Sequence, residues 1–115
     1  MFVQSKLTNF CTSIFIKLGM DPEKAKDTSN ILVEADMMGH STHGVRLLPL
    51  YVKDIEEGNM NISGSKIILN DTGSCLTIDG NMLPGVWLTK SGLKISSERA
   101  KIHGISTVLI KNSHH

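Results

Sequence analysis

The side chains best suited to chemistry fall in two short stretches. The first is GHSTHGVRLLPLYV, Gly39 to Val52, where His40, Thr42, His43, Arg46 and Tyr51 stand beside a run of leucines that asks for burial. The second is IKNSHH, Ile110 to His115, with Asn112 and Ser113 ahead of two histidines. Histidine titrates near neutral pH and can give or take a proton there. Arginine presents a planar fork that binds both oxygens of a carboxylate. Together these types suit proton transfer on a small anionic substrate, whereas a bland reading makes them a cap, a solvated charge and surface rings. His40 and His43 are three apart, a spacing that on a helix would set both on one face. A zinc site needs a third and usually a fourth ligand, and no cysteine or carboxylate pattern supplies them, so no metal is expected.

Elements of both periods must position these groups. Val3, Leu7, Phe10, Cys11, Ile14 and Leu18 recur at helical spacing and predict a first helix stopped at Gly19. Asp21, Pro22 and Glu23 open a second helix, whose face runs Ala25, Thr28, Leu32, Ala35 and Gly39. A third follows, with Thr42 near its N-cap, with Leu47, Leu48, Tyr51, Val52 and Ile55 on one side, and with Gly58 to end it. On this reading His43 sits at a helix N-terminus, where free N–H groups and a partial positive charge suit an anion or an amide. Tyr51 then has its ring on the leucine face and its hydroxyl within reach of the edge.

From Lys66 the period shortens. KIILND and CLTIDG read as two strands of a hairpin-like pair. Pro84 and Gly85 open a long helix to about His103, a cation placed to complement the dipole. Ile105 to Ile110 is an apolar run expected to be a buried strand, and strand C-termini are where α/β folds hold catalytic groups, here His114 and His115. Terminal histidines are also what a purification tag leaves. The class is mixed α and β: three helices, two strands, a helix and a strand. No GxGxxG follows the first strand of the possible crossover, so a Rossmann site is not supported.

Composition narrows the function classes. The 115 residues, 40% hydrophobic and 20% charged, suit a folded chain with a single core. Twelve basic residues against 11 acidic ones give a formal charge of +1, with no basic stripe to bind nucleic acid. Phe10 to Leu18 is too short and too polar to span a membrane, and no cleavage site follows it, so a cytoplasmic location is expected. Cys11 and Cys75 lack metal spacing and read as two buried thiols.

The two stretches resemble one family. GHSTHGVRLLPLYVKDIEEGNMN, Gly39 to Asn61, is similar to the signature of the type 2 malate/L-lactate dehydrogenases, in which Gly-His-x-Ser-His-Gly-Val leads into a helix with Pro and Tyr. VLIKNSHH from Val108 resembles that family's strand and its Asn-Ser-x-His-x-Gly element, and DPEKA at Asp21 matches its opening. The family includes ureidoglycolate and sulfolactate dehydrogenases. The resemblance covers essentially the whole chain. It implies a non-Rossmann fold, a homodimer, NAD or NADP as cofactor, and interconversion of L-2-hydroxy acids with 2-oxo acids. Residues 1–60 would then be a helical segment and 61–115 the start of the nicotinamide-binding domain.

Carried over by position, the resemblance makes His115 the catalytic histidine that takes and returns the hydroxyl proton. His43 becomes a second catalytic and cofactor-facing group beside Thr42, Asn112 and Ser113 belong with the cofactor, and Tyr51 matches the family tyrosine. Thr42 replaces a serine and keeps its hydroxyl. The family's carboxylate-clamping arginine aligns with Leu47, while an arginine stands at Arg46, about 100° away around a helix. Family members continue well beyond 115 residues, so the expected reading is a fragment of a dehydrogenase. The alternative is an inactive truncated relative serving as an interaction module.

Overall fold

The computed structural model describes residues 3–115 as two compact units, residues 1–63 and 64–115 by chain contact, each with its own core. The single core expected from length is thus two, because the helices of the first unit close on one another while the sheet of the second is covered by its own helix.

The first unit begins with α1, Gln4–Lys17, and α2, Pro22–Met37. Asp21 caps α2 as its spacing predicts: the carboxylate accepts the Glu23 N–H at 3.0 Å and Pro22 fills the first turn. The Glu23 and Lys24 contacts hold the Asp21 carboxyl below its ordinary range. Gly19, at φ +94°, ends α1, and the chain past α3 returns to this corner, where the Asp21 N–H donates to Ile62 O. The core gathers Cys11, Phe15, Leu32, Leu48, Tyr51 and Met60. Phe15 takes the inward place expected of Phe10, which is 56% exposed, because the α1 stripe that meets α2 runs through Cys11 and Phe15. Burial pushes the Cys11 thiol above its ordinary pKa, which suits an inert thiol.

Two 3-10 turns, Ser41–His43 and Val45–Leu47, precede α3, Leu48–Glu56. The expected helix therefore starts later than Thr42. Gly44 is extended (φ −96°, ψ −156°) and separates the turns, so Thr42 is no N-cap and His43 does not stand at a helix N-terminus. Pro49 lies in the first turn of α3, and Gly58, at φ +78°, follows its end.

The second unit is a three-stranded sheet in the order β1 (Ile67–Asp71), β2 (Cys75–Asp79), β3 (Thr107–Lys111), with α4, Gly85–His103, on one face. β1 and β2 form the expected antiparallel hairpin; β2 and β3 pair in parallel across α4, a crossover unit. Leu76 and Ile78 point into the core with Leu83, Trp87 and Leu88. The same alternation turns Cys75 outward, so only one of the two free thiols is buried. β3 is half-covered and not buried: Val108 and Ile110 face inward while Leu109 is 60% exposed. An apolar run reports that a strand exists; it does not report how many layers cover it.

Candidate active site

Each unit carries one cluster of the residues singled out above. In the helical unit the Thr42 hydroxyl and His43 Nδ1 are hydrogen-bonded at 3.0 Å, which ties the imidazole to its neighbour. Both residues are exposed. His40 and His43 line an open cleft of about 270 Å³ with Ile31, Glu34, Ala35 and Met38, so two imidazoles and a carboxylate edge an otherwise apolar surface. Among the described residues no three metal-ligating side chains come together. Arg46 lies on the second 3-10 turn with its side chain exposed, while Leu47 packs against the core. The fork is thus available at position 46 and absent from position 47.

Tyr51 keeps its ring on the leucine face, as its spacing predicts. It is 2% exposed and packs on Phe15, ring centroids 6.5 Å apart, so its ring is part of the core. Burial first, and then Asp54, push its hydroxyl above the ordinary tyrosine pKa.

In the strand unit the residues after β3 run through a cradle made by the loop after β2. The Gly80 and Met82 N–H groups donate to Lys111 O and Asn112 O, each at 2.7 Å, and the His114 N–H donates to Leu83 O at 3.1 Å. The Asn112 amide donates to Asp79 Oδ2 at 2.9 Å, and Asp79 Oδ1 accepts the Asn81 N–H at 2.8 Å. That backbone bond, and then Asn112, keep the Asp79 carboxyl below its usual range and therefore charged. Asp79 escaped the sequence reading; its signal was the Asp-Gly turn that ends β2.

This cradle is also where the backbone departs from its ordinary regions. Asn81, Met82, Asn112 and His115 have φ of 51°, 53°, 53° and 30°, and they are the positive-φ non-glycine residues among those described. Left-handed backbone outside glycine costs on the order of 1–3 kcal/mol and concentrates at working sites. The tail then crosses the start of α4. Pro84 bridges His114, and a Cβ on Gly85 would strike the His114 and His115 carbonyls, so a residue without a side chain is required there. His114 is buried at 6% exposure, whereas Ser113 and His115 are exposed. Of the two tail histidines, the second is the one accessible to a small molecule.

Comparison with known proteins bears on both clusters. The family described as malate/L-lactate dehydrogenase matches residues 2–115. Hydroxycarboxylate dehydrogenase B of Escherichia coli is 30% identical over 114 residues, 99% of this chain and 32% of that protein. Malate/(S)-sulfolactate dehydrogenase of Methanothermus fervidus is 38% identical over 98 residues, 85% of this chain and 29% of that one. The solved malate dehydrogenase of Pyrococcus horikoshii superposes with a TM-score of 0.94 at 32% identity, over 97% of this chain and 32% of its own. That of Entamoeba histolytica gives 0.95 at 29%, over 99% and 32%. The chain spans about a third of the length of these relatives. With a family match along nearly its whole length and the same fold in solved members, the chain belongs to the malate/L-lactate dehydrogenase family.

Proposed function

We propose that this chain supplies the N-terminal portion of a cytoplasmic, homodimeric oxidoreductase that interconverts an L-2-hydroxy acid and its 2-oxo acid with NAD or NADP. The observation that carries this reading is the cradle that seats the tail beyond a parallel strand, with Asn112 on Asp79 and His114 on Leu83, and that carries the imidazole of His115, a group able to exchange a proton with a substrate hydroxyl. Relatives named for hydroxycarboxylate, malate, lactate and sulfolactate dehydrogenation support it.

The donor set of the tail fits a nicotinamide amide: the Ser113 hydroxyl both donates and accepts, on an exposed segment held by the cradle. When bound, the nicotinamide supplies the acceptance or delivery of hydride at the substrate carbon. The protein residues do the rest. His115 takes the hydroxyl proton during oxidation and returns it to the carbonyl oxygen during reduction. Asn112, with its amide on Asp79, holds the tail that aims that imidazole. Thr42 and His43 present a hydroxyl and an imidazole as one hydrogen-bonded pair, a role in contacting substrate that rests on the family resemblance. Arg46 offers its guanidinium to the substrate carboxylate, a bond worth more than a neutral one.

The test is turnover. The intact gene product that contains these residues, purified and mixed with NADH or NADPH and a panel of 2-oxo acids that includes oxaloacetate, pyruvate and sulfopyruvate, is expected to consume the reduced cofactor with at least one, and residues 1–115 alone, a third of a relative's length, to give little turnover. Absence of cofactor oxidation by the intact product across the panel, with a full-length family member as the active control, overturns the reading for this chain.

A further inference from the structure

Asp36 lies at the end of α2, and neither its spacing nor its neighbours single it out, yet its side chain reaches the segment that directly follows Thr42 and His43. Its Oδ2 accepts the Val45 N–H at 2.8 Å. Its own carbonyl accepts the Gly39 N–H at 3.0 Å, while the His40 and His43 N–H groups donate to Ala35 O and His40 O at 2.8 and 2.9 Å. The segment between α2 and α3 is thus closed by main-chain bonds at one end and by one carboxylate at the other.

Gly44 shows how close that carboxylate comes. With φ −96° and ψ −156° its backbone is open to any residue, so no left-handed conformation demands a glycine. Space demands it: a Cβ at Gly44 would fall on the Asp36 carboxylate, with Oδ1, Cγ and Oδ2 all in conflict. The carboxyl group fills the volume of the missing side chain, directly behind the residue that follows His43. A 3-10 turn of three residues is weak by itself, and the charge-assisted bond to the Val45 N–H, two residues past His43, gives the segment an external anchor.

The geometry points to Asp36 as the positioning residue of the Thr42–His43 pair, with Gly44 as the gap that admits its carboxylate. Asp36 acts through the loop and not on substrate. The inference rests on the reading of His43 as a pocket group, and the test separates the two.

Nitrogen NMR of the His43 ring in the purified protein reports whether Nδ1 keeps its bond to Thr42, whatever the activity. Asp36→Ala is expected to release that bond and move the ring nitrogen signals; Asp36→Asn, which keeps an acceptor, is expected to restore most of them. Gly44→Ala alone is expected to disturb the ring, and adding Asp36→Ala to it to do less further harm than Asp36→Ala does alone, since the clash is then gone. In turnover, Asp36→Ala is expected to lower kcat/KM by about a hundredfold, with Asp36→Asn in between. If Asp36→Ala lowers the melting temperature but leaves the His43 ring signals as in the parent, Asp36 is a stabilising residue only and the inference fails. If the intact parent itself shows no turnover, the dehydrogenase reading fails while the ring signals still decide the role of Asp36.

Discussion

The guanidinium of Arg99 lies along the carboxylate of Asp71, with Nη2 2.7 Å from Oδ2, and its Nη1 also donates to Gly73 O at 2.9 Å. The pair fastens the last turns of α4 to the β1–β2 turn. Arg99, then the Gly73 N–H, hold the Asp71 carboxyl well below the ordinary carboxylate range. A depressed carboxyl contributes stability above its unfolded pKa and loses it as pH falls toward the folded one. The melting temperature is therefore expected to fall as pH drops below about 4. Arg99→Met should lower it modestly at neutral pH, since Asp71 is exposed, and should flatten that acid decline. Melting curves of parent and variant from neutral pH into acid decide it; parallel curves would remove the pair from the account.

Replacing the proposed proton carrier should cost turnover and not binding. His115→Gln is expected to lower kcat by about 10²- to 10⁴-fold with KM for the 2-oxo acid changed little. Steady-state cofactor oxidation gives both constants. Retained kcat would move the proton transfer to another group.

Arg46 should behave in the opposite way. Arg46→Ala is expected to raise KM for a 2-oxo acid about ten- to hundredfold, and Arg46→Lys to recover only part, because a point charge cannot replace the bidentate fork. Equal KM values for parent and Arg46→Ala would mean that the exposed side chain is merely solvated.

Tyr51 offers a contrast, because its burial makes it a packing residue. Tyr51→Phe is expected to leave KM unchanged and cost about 1 kcal/mol, whereas Tyr51→Ala should cost about 3–5 kcal/mol through the cavity left beside Phe15. Denaturant unfolding of both variants, with KM measured alongside, checks this. A large KM effect in Tyr51→Phe would return the hydroxyl to the substrate.

The features legible in advance were those written in local chemistry. Asp21, Pro22 and Glu23 announce a helix start wherever they occur, and the element order through β3 follows from such punctuation and from periodicity. What depended on contacts between elements was hidden. Nothing local distinguishes Phe10 from Phe15 as the inward ring, or tells how many layers cover Leu109. Thr42 before a leucine run reads as a cap until Gly44 is seen to extend and delay α3. The side chains of the candidate site were legible by type; the ones that hold them were less so. Asp36 and Asp79 stand distant in sequence from the groups they brace, at Val45 and Asn112, and spacing carries no trace of such partnerships.

The parallel pairing of β2 with β3 also orders the assembly of the second unit. β1 and β2 can zip from their turn within microseconds, whereas β3 pairs with β2 only by closing the longer loop that contains α4. The segment from Asn112 to His115 hangs on that late strand and is seated by bonds to the loop that precedes α4. A half-folded chain therefore has its hairpin before it has a placed imidazole. In this unit, closing the parallel pair and placing that imidazole belong to the same long-range contact.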